Sequence, residues 1–138
     1  MISGALVLVD TNVWSSFFSK PGSREKRALD ALLDEDRVVI TGPVLAEVLR
    51  GFRRADQADW VASRLRLAHY LEPTWEDWSH AAALGRDLAG KGHDVPLTDL
   101  VVATLARRAE ASVFTNDPHF DLIQPLRRYQ FCIRAEGD

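Results

Sequence analysis

Residues 5–13 read ALVLVDTNV, an apolar run without a charge that stops at Asp10. A short continuous run bounded by a polar turn predicts a strand buried on both faces, as in a parallel sheet covered by helices. Asp10 then stands at the carboxyl end of that strand. Open α/β sheets gather their ligands in the crevice beyond such ends, so the question becomes which other acids join Asp10 there.

Downstream, the pattern alternates. Residues 11–19 predict a short helix with Val13, Trp14, Phe17 and Phe18 on one side, stopped by Pro21 and Gly22. A second helix covers 24–33, and RVVIT at 37–41 is a β-branched strand ended by Gly42 and Pro43, the latter suited to the first turn of a helix. On the helix predicted over 44–54, Val44, Leu45, Val48, Leu49 and Phe52 fill an arc of about 140°, with Glu47 roughly 60° outside its edge. A helix over 56–67, a short strand around Tyr70 and Leu71, and a helix over 75–89 closed by Gly90, Lys91 and Gly92 come next. Thr98 is the expected cap of the following helix, which carries Asp99 in its first turn. LVVATLA at 100–106 is apolar almost all round and should be buried. ASVFT at 111–115 predicts another buried strand, Asn116, Asp117 and Pro118 its exit turn, 123–126 the return and 129–133 a last strand. Strands alternating with helices make an α/β protein, its mostly parallel sheet sandwiched by helices.

Composition narrows the function classes. With 138 residues, 46% hydrophobic and 27% charged, the chain reads as one globular domain over 1–138, long enough to bury roughly two thirds of its unfolded surface. Its single cysteine, Cys132, excludes an internal disulfide and a cysteine-rich zinc site and points to a reducing cytoplasm. The amino terminus lacks the basic leader of a signal peptide, and no apolar run is long enough to span a bilayer, so no membrane role is expected. A net charge of −3 argues against holding nucleic acid by bulk electrostatics. An acidic site that meets phosphates through metal ions remains open.

Each acid alone has an ordinary role. Asp10 and Asp117 follow strands, where Asp caps helices or makes turns. Asp99 sits where a helix dipole favours negative charge, and Glu47 has Arg50 close by on the same helix. Jointly they differ: two strand ends and two early helical positions converge on one rim of the sheet. Carboxylates gathered there repel one another unless cations neutralise them. Magnesium or manganese suits oxygen ligands and leaves positions for water and substrate phosphate oxygens, chemistry that fits phosphodiester hydrolysis. Thr11, Asn12 and Thr115 are the best-placed residues to orient such a site, with Ser15 and Asn116 nearby.

Four stretches, VDTNV (9–13), GPVLAEVLRGF (42–52), PLTDLVVATLA (96–106) and VFTNDPHF (113–120), resemble in order the motif regions of PIN-domain ribonucleases. The compact length and AEVLRG resemble most the VapC-type toxins of toxin–antitoxin pairs. The resemblance implies a three-layer α/β/α fold and metal-binding, catalytic acids at Asp10, Glu47, Asp99 and Asp117, with Asp117 meeting the ion directly or through water. It further implies Mg2+- or Mn2+-dependent endonucleolytic cleavage of RNA and homodimerisation. Inhibition by a cognate antitoxin, in a heterotetramer or larger assembly, belongs to the same implication.

Other features carry simpler readings. His119 reads as a neutral turn residue, because His69, His80 and His93 give it no ligand spacing. Arg50 and Arg54 lie on the Glu47 side of the wheel and are candidates for guiding RNA phosphates. Trp60, Trp75 and Trp78 read as core residues, an exposed subset suiting a dimer or antitoxin surface. The rival function is a PIN-like protein that binds nucleic acid without cutting, or a housekeeping processing protein. A receiver domain lacks the second acid beside Asp10, and an aspartate phosphatase wants an acid where Asn12 stands.

Overall fold

In the computed structural model, which describes residues 5–130, the opening run becomes β1 (Val7–Val9), buried throughout. After it come α1 (Thr11–Ser19), α2 (Arg24–Asp34), β2 (Val38–Ile40), α3 (Gly42–Arg50), α4 (Ala55–Leu65), β3 (His69–Tyr70), α5 (Trp75–Gly90), α6 (Leu97–Arg108) and β4 (Ser112–Phe114). A 3-10 turn at Pro118–Leu122 follows β4. The strands pair parallel in the order β3-β2-β1-β4, with Leu8 flanked by Val39 and Val113.

From β1 through β2 to β3 the chain steps toward one edge; it then returns past β1 to β4. Right-handed crossovers running in opposite directions leave their helices on opposite faces. Thus α1 to α4 cover one face and α5 with α6 the other, giving the α/β/α arrangement. The switch in direction falls between β1 and β4, and a crevice opens there. On the second face α6 packs on β1 and β4, and every residue from Asp99 to Ala106 is buried. Gly85 lets α5 approach closely, since a Cβ there would stand 2.9 Å from Leu100 Cδ1.

Several local expectations shift. The helix predicted over 44–54 is α3, which starts at Gly42, where Pro43 costs no hydrogen bond, and ends at Arg50. Its apolar spacing continues through Phe52, but the N–H groups of Gly51 and Phe52 close tight turns on Val48 and Leu49. Arg54 is then extended, as the residue before α4. In α6 Pro96 takes the capping position and Thr98 lies inside the helix. Trp14 is the core tryptophan, at 1% exposure; α4 and α5 turn Val61, Leu65, Ala81 and Leu88 inward, which leaves Trp60, Trp75 and Trp78 exposed. Beside β4, Arg128 bridges Val113 and the Tyr129 N–H donates to its carbonyl. The predicted last strand from residue 131 on, and Cys132 with it, lies outside the described residues. No helix among the described residues is long and apolar enough to cross a membrane.

Candidate active site

At the end of β1 the Asp10 N–H donates to the Phe114 carbonyl (2.9 Å), which ties the strand end to β4. Its side chain then turns back as the cap of α1: Oδ1 accepts the Thr11 N–H at 2.9 Å. Oδ2 accepts the Thr115 hydroxyl at 2.8 Å and the Asn12 amide at 3.3 Å. Thr115 Oγ1 also accepts from Asn12 Nδ2 (3.2 Å) and from the Asp117 N–H (3.0 Å). Its one proton therefore belongs to Asp10. Burial raises the Asp10 pKa; the Thr115 and Thr11 hydrogen bonds pull it back, the Asp117 and Glu47 charges add to the rise, and the balance is upward.

Glu47 projects from the middle of α3 at the border between core and solvent, as its wheel position predicts. Two hydroxyls hold it: Thr11 Oγ1 donates to Oε1 at 2.7 Å and Thr98 Oγ1 to Oε2 at 3.2 Å. Displacing Thr98 from the cap frees its hydroxyl for this contact. Glu47 thereby links α1, α3 and α6.

Asp99, 6% exposed in the first turn of α6, is the most perturbed acid. Burial, then repulsion from Asp10 and Asp117, and a hydrogen bond to Asp117 favouring the protonated form push its pKa up to about 7, against a smaller opposing pull from His119. Asp99 Oδ2 is buried and accepts no hydrogen bond. Asp117 caps the 3-10 turn through the His119 N–H (2.9 Å). The His119 ring brings Nδ1 to 2.8 Å from Asp117 Oδ1 and 3.5 Å from Asp99 Oδ2. Neither approach is aligned as a hydrogen bond.

The four predicted acids thus act on one another across a single crevice. Among the described residues no lysine or arginine pairs with any of them. A divalent cation fits this donor set on two grounds. One is a buried carboxylate oxygen without a partner; the other is the ligand atoms of Asp99, Asp117 and His119, all within 4.8 Å of one another. Thr11 hydrogen-bonds both Asp10 and Glu47, and Asn12 and Thr115 hydrogen-bond Asp10. Ser15 is exposed, and Asn116 bridges Asn12 and Glu25. Arg50 is exposed one turn beyond Glu47, whereas Arg54 is committed to Asp56 at 3.0 and 2.6 Å. Sequence reasoning missed Thr98 and His119. Spacing to other histidines gives His119 no role, whereas its ring lies beside the acids Asp117 and Asp99, and its position two residues after Asp117 is the available signal.

With this geometry in place, comparison with known proteins is informative. A family model described as PIN domain matches residues 7–124. The VapC ribonuclease Mb1587 of Mycobacterium bovis is 28% identical over 130 residues, covering 91% of this chain and 96% of that protein. VapBC2 from Rickettsia felis, crystallised with a DNA fragment from its promoter, superposes with a TM-score of 0.77 at 21% identity, over 90% of this chain and 97% of that one. DNA-bound VapBC from Salmonella typhimurium gives 0.77 at 21% identity, over 94% and 100%.

Proposed function

The chain belongs to the PIN-domain family, and from that premise we propose that it is a Mg2+- or Mn2+-dependent endoribonuclease, the toxin of a type II toxin–antitoxin pair acting in the cytoplasm. The observation that carries this reading is the buried, partnerless Asp99 oxygen among acids that raise its pKa. Relatives named as ribonucleases and similar structures named as VapBC complexes support it. Asp10, Asp99 and Asp117 would hold the ion, with Glu47 close by. Bound there, the ion supplies Lewis acidity toward the phosphodiester and toward water.

The chain's own residues do the positioning. Thr115 and Asn12 fix one oxygen of Asp10 and the Thr11 N–H fixes the other, so this carboxylate is set before anything binds. Thr11 and Thr98 aim Glu47 without cancelling its charge. Arg50, free of the ion pair that engages Arg54, is the better placed to draw an RNA phosphate toward the crevice. Trp60, Phe17, Phe18 and Leu67 line a cleft of about 520 Å³ beside α1, α2 and α4, where an antitoxin segment would find apolar contacts. Exposed Trp75 and Trp78 offer apolar area to a second copy.

An RNA cleavage assay tests the proposal. Wild-type protein should cut with Mg2+ or Mn2+ and stop with EDTA, and Asp10→Asn should lose at least a hundredfold in rate while keeping the wild-type circular dichroism spectrum. Equal cleavage by the variant, or cleavage indifferent to EDTA, refutes it.

A further inference from the structure

We propose that His119 is a nitrogen ligand to the metal, so that the site selects Mn2+ over Mg2+. The inference rests on the metal-dependent reading above and goes beyond it by naming a fourth donor, after Asp10, Asp99 and Asp117, and the selectivity it confers.

Geometry carries the argument. His119 Nδ1 lies 2.8 Å from Asp117 Oδ1 and 3.5 Å from Asp99 Oδ2, which bracket the roughly 3.0 Å between adjacent ligands of an octahedral ion with bonds of about 2.1 Å. The plain alternative is an imidazole donating to Asp117. The approach is short but not aligned for that bond: Nδ1 is buried and has no hydrogen-bond partner, while Asp117 Oδ1 accepts the His119 backbone N–H. Asp99 Oδ2, facing the same space, is equally without a partner. Two buried ligand atoms from separate elements of the fold, α6 and the 3-10 turn, therefore lie 3.5 Å apart, and neither has an aligned hydrogen bond.

The backbone that carries the ring is also held in place before any ion arrives. Pro118 fixes the backbone dihedral at the start of the turn, Asp117 caps it, and Phe120, 1% exposed, anchors it in the core. Magnesium and manganese both prefer oxygen donors, but manganese, as a first-row transition ion, accepts an imidazole nitrogen more readily than magnesium does. A single nitrogen among carboxylates therefore tilts the site toward manganese without excluding magnesium.

Titrating the full chain with MnCl2 and MgCl2, followed by electron paramagnetic resonance and calorimetry, tests this. Bound Mn2+ in the wild type should show electron spin echo modulation from a directly bonded nitrogen. His119→Phe should abolish that modulation and weaken Mn2+ by about tenfold or more, with Mg2+ changed by less than about threefold. Absence of nitrogen modulation in wild-type protein that binds Mn2+ overturns the ligand assignment, whatever becomes of the variant. An unchanged ratio of Mn2+ to Mg2+ affinity in a folded variant does the same while leaving the nuclease reading intact. If Mn2+ and Mg2+ bind neither protein, the ligand assignment and the metal-dependent reading fall together.

Discussion

Asp77 and Asp99 sit in the first turns of adjacent helices, α5 and α6, and both are almost fully buried, at 2% and 6% exposure. Their surroundings are opposite. Asp77 takes both oxygens of its carboxylate to the Arg108 guanidinium at 2.8 to 3.1 Å and completes a capping box with Thr74. Burial pushes its pKa up, but Arg108 and the Thr74 donors overcome that and leave it lowered. Asp99 meets other acids and a misaligned histidine, and its pKa climbs to about 7. A buried aspartate neutralised by its own chain is structural, whereas one left without a countercharge is a candidate site for a cation from outside.

Exchanging the same substitution between the two positions gives the largest contrast. Asp99→Asn should lower RNA cleavage by about a hundred- to a thousandfold, yet raise the melting temperature of the metal-free protein, because it removes a repelled charge. Asp77→Asn should behave inversely. Arg108 is 43% exposed and regains water, so losing the pair costs about 2 kcal/mol, a drop of roughly 7 °C, with cleavage per folded molecule unchanged. Thermal melts in EDTA beside cleavage rates in Mn2+ read both. Coincident loss of stability and activity in both variants would erase the distinction.

That distinction was half visible in the sequence. The charge-free run before Asp10 and the apolar 100–106 segment located two of the acids, because burial on both sides leaves a continuous apolar signature. Glu47 followed from its angle on a helical wheel. Partners contributed by distant segments leave no such mark: Thr74 three residues before Asp77 gives the spacing of a capping box, but nothing local points to Arg108 at the end of α6. Arg54 was misplaced for a related reason, since apolar spacing runs on through Phe52 although the backbone turns at Gly51. Thr98 lost its predicted cap because Pro96 begins the helix earlier, and His119 comes beside Asp99 only because the 3-10 turn packs on α6.

Titration sharpens the comparison with a smaller effect. Between the ordinary 3.8 and about 7, folded metal-free protein keeps a proton on Asp99 that the unfolded chain has released, so this contribution is complete below that window and is lost as pH rises through it. Asp77 has the opposite sign. Its contribution is present above 3.8 and is lost as pH falls through its lowered pKa. Urea unfolding in EDTA at pH 5 and pH 8 should show a fall on the order of 2 kcal/mol toward pH 8, allowing for water at the crevice mouth. Asp99→Asn should remove most of that slope, and Asp77→Asn should leave it. Saturating Mn2+ at pH 8 should reverse it through preferential binding to the folded state. A slope that survives in Asp99→Asn assigns the titration elsewhere.

Glu47 tests whether the two aspartates are ends of a graded scale. Its carboxylate is neither cancelled by a guanidinium, like that of Asp77, nor left without donors, like Asp99 Oδ2; two neutral hydroxyls orient it and leave the charge in place. If orientation is their purpose, Thr98→Val should cost activity more than stability. The lost hydrogen bond is worth about 1 kcal/mol, or roughly fivefold in cleavage rate, because the Thr11 bond at 2.7 Å still holds the other oxygen. Stability should barely change, since Glu47 is half exposed and water can replace the donor. Thr98→Ser keeps a hydroxyl at the same helical position and should restore most of the rate. A valine variant as active as wild type would mean that Thr11 alone positions Glu47; a serine variant as impaired as valine would mean that the hydroxyl alone is not enough and that the methyl group, which valine keeps and serine lacks, is needed beside it.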